Sequence, residues 1–322
     1  MTLLRWSRGA AAVGVAAVLV ALPAFANPYV LYVVNLAFVH ILLAAGLNVL
    51  IGYTGQLAFA NAALFGIGAY IAGLLQVDYA VPFWIAACIG VAGSTIVGVV
   101  IALPALRLSG LYLAIVSVAF AYSCQWVFLN WQNVTHGAGG FPVPPITFTF
   151  MQTSTAAATY YLSLLITVIL VLALMNVLRC RVGRALVAVR ENETAAGALG
   201  VNLTKYKTIS FGISALFAGT AGVLFQALLG VVTPESYDIF NVVLQFCMVM
   251  VGGLGSLFGS VLGAVLITWF DELIREFRGF EEAGFGALIL LSVLFMPRGL
   301  SGLVTRWVPS MREPLRLRDR EP

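Results

Sequence analysis

Residues 241–270 read NVVLQFCMVMVGGLGSLFGSVLGAVLITWF, an apolar run interrupted only around Gly252, Gly253, Gly255 and Ser256. How this stretch crosses a bilayer decides the architecture. Taken as one span, it makes nine crossings and puts the basic C-terminal tail on the wrong side of the membrane. Taken as two short helices that enter, turn at the glycines and return, it restores parity. Each half then has about 12–15 residues, or about 18–22 Å of helix. Such halves are short for full spans, so a re-entrant or discontinuous pair is expected here. Non-helical backbone at that depth must be buried in protein or line a cavity.

The rest of the chain supplies the other crossings. Of 322 residues, 61% are hydrophobic and 9% charged, with a mean hydropathy of +1.01. Soluble domains carry about 25% charged residues, so a soluble enzyme, a disordered chain and a nucleic-acid binder are excluded. Further apolar segments run over about 10–26, 31–50, 57–75, 82–103, 110–129, 159–178, 208–229 and 284–296. That gives roughly eight to ten spans of a length suited to a hydrocarbon core of about 30 Å. The expected fold is an all-α polytopic membrane protein, a helical bundle with a glycine-broken pair near 241–270. Arg5 and Arg8, the run 10–22 and Ala24-Phe25-Ala26 fit both a retained first span and a cleavable signal peptide.

Positive charge gives the orientation. Arg179, Arg181, Arg184, Arg190, Lys205 and Lys207 face only Glu191 and Glu193 in the loop 179–207. With Arg5, Arg8, Arg107 and the arginines of the tail 298–322, they are expected in the cytoplasm under the positive-inside rule. The loop 130–158 and the stretch 271–282 then lie outside.

Ionisable residues within the spans, which mark ion or proton coupling, are nearly absent. His40 sits mid-span and reads first as a packed or hydrogen-bonded residue, with a functional role as the alternative, and Arg107 reads as a membrane-edge anchor. Cys88, Cys124, Cys180 and Cys247 lie far apart without metal or disulfide spacing. The chain holds no phosphate-binding loop, so active transport would draw its energy from another polypeptide. The docking candidate is Glu191–Leu203, read as a short helix of small residues that Gly200 ends or turns; a solvated linker is the competing reading. Gly255, Gly259 and Gly263 form a doubled GxxxG, with Ala58, Ala62 and Gly66 or Ala218 and Gly222 as lesser versions. Such stripes serve close helix packing, a subunit interface or a narrow substrate path.

Several motifs occur in order between about 31 and 300: Gly46-Leu47-Asn48, GYTGQL (52–57), GIGAY (66–70), LRLSGLYLAI (106–115), THGAGG (135–140), Gly183-Arg184-Ala185, TPES (233–236) and GGLGSLFG (252–259). Together they are similar to the LivM-type membrane permeases of bacterial ABC transporters for branched-chain amino acids. The resemblance implies one transmembrane permease domain over 1–322 in the bacterial inner membrane, both termini cytoplasmic. It also implies a second related permease, two cytoplasmic ATPases and a periplasmic substrate-binding protein. ATP would be bound by the partners, with no cofactor, metal or catalytic residue in this chain. The family's ATPase-coupling signature falls on Glu193, Ala195, Ala196 and Gly200. The implied mechanism is alternating access, with Asn48, Gln56, Asn61 and Tyr112 as candidates for the substrate path; each also suits an interhelical hydrogen bond. Two departures stand out: Asn61 and Ser109, where relatives often carry histidine and arginine. Urea permeases and other amide or amino-acid importers share nearly this scaffold, and an ion-coupled secondary transporter is the rival of another class.

Overall fold

The computed structural model describes residues 14, 17–106, 108, 110–146, 155–274, 286 and 299–302. Arg5, Arg8, Arg107, Ser109, most of the 271–282 stretch, nearly all of the 284–296 segment and most of the basic tail lie outside the described residues. The principal helices are α1 (Pro28–Asn48), α2 (Asn61–Val77), α3 (Phe83–Ala105) and α4 (Leu111–Asn130), followed by the short α5 (Gln132–Thr135). Next come α6 (Thr155–Arg179), α7 (Arg181–Glu191), α8 (Glu193–Ala198), α9 (Leu203–Leu229), α10 (Ile239–Gly252) and α11 (Leu257–Ile274). Six helices among the described residues are long and apolar enough to cross a membrane: Pro28–Tyr53, which runs on through a π turn, Phe83–Pro104, Leu111–Asn130, Ala156–Arg179, Leu203–Leu229 and Leu257–Ile274. Helices dominate because every backbone polar group at membrane depth needs a partner within its own segment. The protein is a multi-pass helical bundle.

The predicted break in 241–270 is present. α10 ends at Gly252, α11 starts at Leu257, and Gly253 and Gly255 take φ of +114° and +72°. Only glycine enters that region without strain. The two helices pack antiparallel: Gly252 lies on the Gly259 carbonyl, and Gly263 on the Met248 carbonyl. Their turn reaches the end of α1, where Gly255 meets Gly52, and Gly299 packs on Gly253.

At the centre, α2, α3 and α9 approach backbone to backbone. Gly68 faces Gly219, Gly222 faces the Phe65 carbonyl, and Gly90 faces the Gly68 carbonyl. The buried Ser94 hydroxyl, from α3, donates to Leu64 O of α2 at 2.8 Å and lies 3.2 Å from Ala215 O of α9. Small residues thus replace a hydrophobic driving force that lipid cannot supply.

The bundle has two distinguishable ends. At one lie Gly52, Arg190 and the Gly253–Ser256 turn. At the other, Asp78 and His136 pair at 3.3 Å, Phe141–Pro142 pairs antiparallel with Val231–Val232, and Tyr29 donates to Glu272 at 2.8 Å. Phe65, Tyr70, Phe128, Phe141, Phe225 and Tyr237 form an aromatic cluster there, with Tyr70 stacked on Phe128 at 4.2 Å. Burial pushes the Tyr237 phenol well above its ordinary pKa because the charged form loses its water. Trp84, Trp126, Trp131 and Trp269 are exposed on the helix ends of this same side.

Residues 17–25 are helical and belong to the first predicted segment. Pro23 has no N–H to give the Leu19 carbonyl. Tyr160 supplies the missing donor from α6, its hydroxyl 2.8 Å from that oxygen, and Tyr161 reaches Val20 O at 3.1 Å. Tyr160→Phe keeps the ring against Phe38 and is expected to cost about 1 kcal/mol, seen as a lower melting temperature in detergent. An unchanged melt would show that the Pro23 gap is filled otherwise.

Candidate coupling and translocation sites

Three polar clusters stand out from the apolar packing. The first closes the end of α1. Asn48 is fully buried; its Nδ2 donates to Ser256 O at 2.9 Å and lies 2.6 Å from Ser260 Oγ, and its Oδ1 accepts from Gly255 N at 2.9 Å. Tyr53 Oη accepts from Leu257 N at 3.1 Å. One asparagine therefore meets both a donor and an acceptor of the non-helical turn between α10 and α11. Beyond it α1 widens into a π turn over Val49–Tyr53, a feature often found at functional sites. Arg190, from α7, donates through Nη1 to Gly52 O and packs against Gly55 and Gly255.

The second cluster lies at mid-depth. After Gly55 (φ +73°) the chain runs without helix to Ala60, and α2 starts at Asn61 with no side-chain cap. The segment alternates: Gly55 and Leu57 are exposed, while Gln56, Ala58 and Ala60 are buried. Phe59 N donates to Ser117 Oγ at 2.8 Å. Asn61 Nδ2 donates to Gln245 Oε1 at 2.8 Å, and Ser214 Oγ donates to Asn61 Oδ1 at 3.0 Å. The same Nδ2 lies 3.4 Å from Leu43 O, within the Pro28–Tyr53 span. Neither amide atom of the buried Gln56, nor Gln245 Nε2, has a hydrogen-bond partner among the described residues. Unwound backbone with one open face at such depth suits the wall of a cavity or a protein contact.

The third cluster is the 179–207 connection. Within 191–203 the chain forms the short helix α8, with Gly200 at φ +84° just beyond its end, and two asparagines act as N-caps. Asn192 accepts from Ala195 N at 2.9 Å and starts α8; Asn202 accepts from Lys205 N at 3.0 Å and starts α9. Such caps are each worth about 1 kcal/mol. Lys207 Nζ, mostly buried, binds Glu193 Oε2 at 2.7 Å and ties α8 to the base of α9. Ala196 is buried, Ala195 is exposed, and Leu199 projects with 86% of its surface open. Gly200 takes φ of +84°, with open space where a side chain would stand.

The predicted residues thus fall in different places. Asn48 belongs to the turn cluster, whereas Gln56 and Asn61 share the unwound segment and the start of α2. Tyr112 stands apart on α4, 72% exposed. Gly259 and Gly263 pack within the hairpin, and Gly255 lies in its turn. His40, read as either packed or functional, is buried with Nδ1 2.8 Å from Thr268 Oγ1. Arg190, Gln245, Ser214 and Ser260 did not stand out in the sequence, where Arg190 was one loop charge among six and the others were isolated polar residues in apolar runs; Ser256 was read only as part of the glycine break.

The family described as branched-chain amino acid transport system / permease component matches residues 29–297. The chain belongs to that family. It is accordingly a permease component of a transport system and not its ATPase. The permease protein LivM of the high-affinity branched-chain amino acid transport system of Salmonella typhimurium is 32% identical over 312 residues, covering 89% of this chain and 71% of LivM. LivM of Escherichia coli K12 is also 32% identical, covering 89% and 72%. The LivH permease of the S. typhimurium system is 27% identical, covering 84% and 93%. This permease therefore resembles both kinds of permease of one system. No solved structure matches the chain at a significant level.

Proposed function

We propose that this chain is the membrane permease subunit of an ATP-driven importer for branched-chain amino acids, forming the translocation path with a second, related permease. The observation that carries the reading is the family match across 29–297, with LivM relatives over 89% of the chain. Two cytoplasmic ABC ATPases would supply energy and a periplasmic binding protein would deliver solute. The Arg190 end is then cytoplasmic, in the bacterial inner membrane with both termini inside, a placement supported by the basic 179–207 loop.

In this reading α8 is the coupling element. Glu193 anchors it through Lys207, Ala196 packs beneath, and Ala195, Leu199 and Gly200 present the surface that an ATPase would cover. The solute path runs beside the unwound 55–60 segment. Asn61 and Gln56 are the polar groups suited to a zwitterion there, Asn48 holds the path's inner end, and Tyr112 lines its exposed side.

Purification of the tagged chain from its native membrane should recover a second permease and two ATPases, and the rebuilt complex in liposomes should accumulate leucine with ATP and binding protein. Uptake by this chain alone under an ion gradient would overturn the assignment. Failure of leucine, isoleucine and valine to compete, with urea or another amide competing instead, would move the substrate class.

Gly200→Trp should leave insertion intact and lower ATP-driven uptake at least tenfold by blocking the ATPase face. Gly200→Ala carries the same left-handed strain, about 1–2 kcal/mol, without the bulk, and should transport nearly normally. Equal uptake in both would remove α8 as a docking surface.

A further inference from the structure

Two interruptions among the described residues, the π turn and unwound stretch over 49–60 and the Gly253–Ser256 turn, meet the same side chain. Arg190 Nη1 donates to Gly52 O; its Cγ would lie 2.9 Å from a Cβ at Gly55, and its Nη1 2.7 Å from one at Gly255. Gly52 and Gly255 also touch each other, so the guanidinium sits where the two breaks join. The arginine is half-buried, and its Nη2 lies 3.3 Å from Glu191 Oε1. Two residues further on, Asn192 caps α8, and Glu193 binds Lys207. Arg190 is therefore joined to α8 by Glu191 and one residue of extended backbone, Asn192.

We propose that Arg190 is a positioning residue that pins both helix breaks in the closed arrangement of the cytoplasmic end, and that displacement of α8 releases it. The proposal rests on the permease reading above. A planar guanidinium suits the role because several donors in a fixed fork can address a backbone carbonyl while the stem packs on glycines. The neighbouring glycines leave room for that stem, since side chains at Gly55 or Gly255 would occupy its place. Arg181 and Arg184, on the same helix, are exposed.

The test uses the assembled complex in liposomes, with amide hydrogen exchange of residues 253–257 and the ratio of leucine imported to ATP hydrolysed as readouts. In the unaltered complex, ATP binding should speed exchange over 253–257, where Gly255 N is held by Asn48 and Leu257 N by Tyr53. Arg190→Ala should show that faster exchange without ATP and lower the coupling ratio about tenfold or more, as expected for losing one hydrogen bond to a charged group. Arg190→Lys, with the charge and a single point donor, should recover part of the ratio. Arg184→Ala, with the same charge loss, should match the unaltered complex.

Equal coupling in Arg190→Ala and Arg184→Ala would overturn the pin while leaving the permease reading in place. So would ATP-independent exchange at 253–257 in the unaltered complex, a result that needs no variant to fold. Absence of ATP-driven uptake by the unaltered complex would overturn the permease reading, and the pin with it.

Discussion

Gly252→Val and Gly259→Val are expected to abolish recovery of folded protein, each destabilising it by about 3 kcal/mol or more. A methyl group at Gly252 collides with the Gly259 carbonyl and stands 3.2 Å from Ser260 N; one at Gly259 collides with the Gly252 carbonyl and stands 3.0 Å from Ser301 Cβ. Both obstacles are largely backbone, so no rotamer change relieves them. The helices would have to separate, and α10 would lose the contact that holds its short span in place. Gly139→Ala is the matched control, since its Cβ would meet open space. Yield of monodisperse protein and melting temperature in detergent decide the matter. Valine variants that melt with the unaltered chain would show that the α10–α11 hairpin is packed differently.

Asn48→Leu should be the most damaging of the polar substitutions. Leucine nearly preserves the volume but removes three buried hydrogen bonds at once, to Ser256 O, Ser260 Oγ and Gly255 N. Single interhelical bonds in membrane proteins average about 0.6 kcal/mol. Here the larger cost is the stranded Gly255 N–H, about 1–3 kcal/mol when a buried donor goes unmet. The expected result is a lower melting temperature together with faster amide exchange at Gly255. Asn61→Leu provides the contrast, because Gln245 and Ser214 are side chains that can reorient. It should affect stability less and leucine uptake more. If Asn48→Leu melts normally, the turn does not depend on its amide.

The glycine-marked break at 252–256 was legible because glycines inside an apolar run have a local conformational meaning and the charge pattern demanded an extra turn. The unwound stretch 55–60 was not. LAFANAA is apolar and small, and it reads as a helix starting near Leu57. The helix instead begins at Asn61, where Phe59 N is taken by Ser117, fifty-eight positions away. Likewise nothing local in Asn48 announces Ser256 and Ser260, and nothing in Arg190 announces Gly52. Such contacts are set by how helices pack, which periodicity does not encode. In the coupling segment the short helix and the turn at Gly200 were legible, whereas the caps Asn192 and Asn202, both strong helix starters, went unremarked although they too are local signals.

The tryptophans carry a spectroscopic consequence. Aromatic belts ordinarily mark both bilayer interfaces, yet Trp84, Trp126, Trp131 and Trp269 all ring the end opposite Arg190. With Trp6 and Trp307, which lie outside the described residues, replaced by phenylalanine, the remaining indoles report on a single leaflet. Brominated lipid confined to that leaflet should quench their emission, and the same lipid in the opposite leaflet should leave it bright. Intrinsic fluorescence thus becomes a one-sided optical gauge of how this protein is inserted.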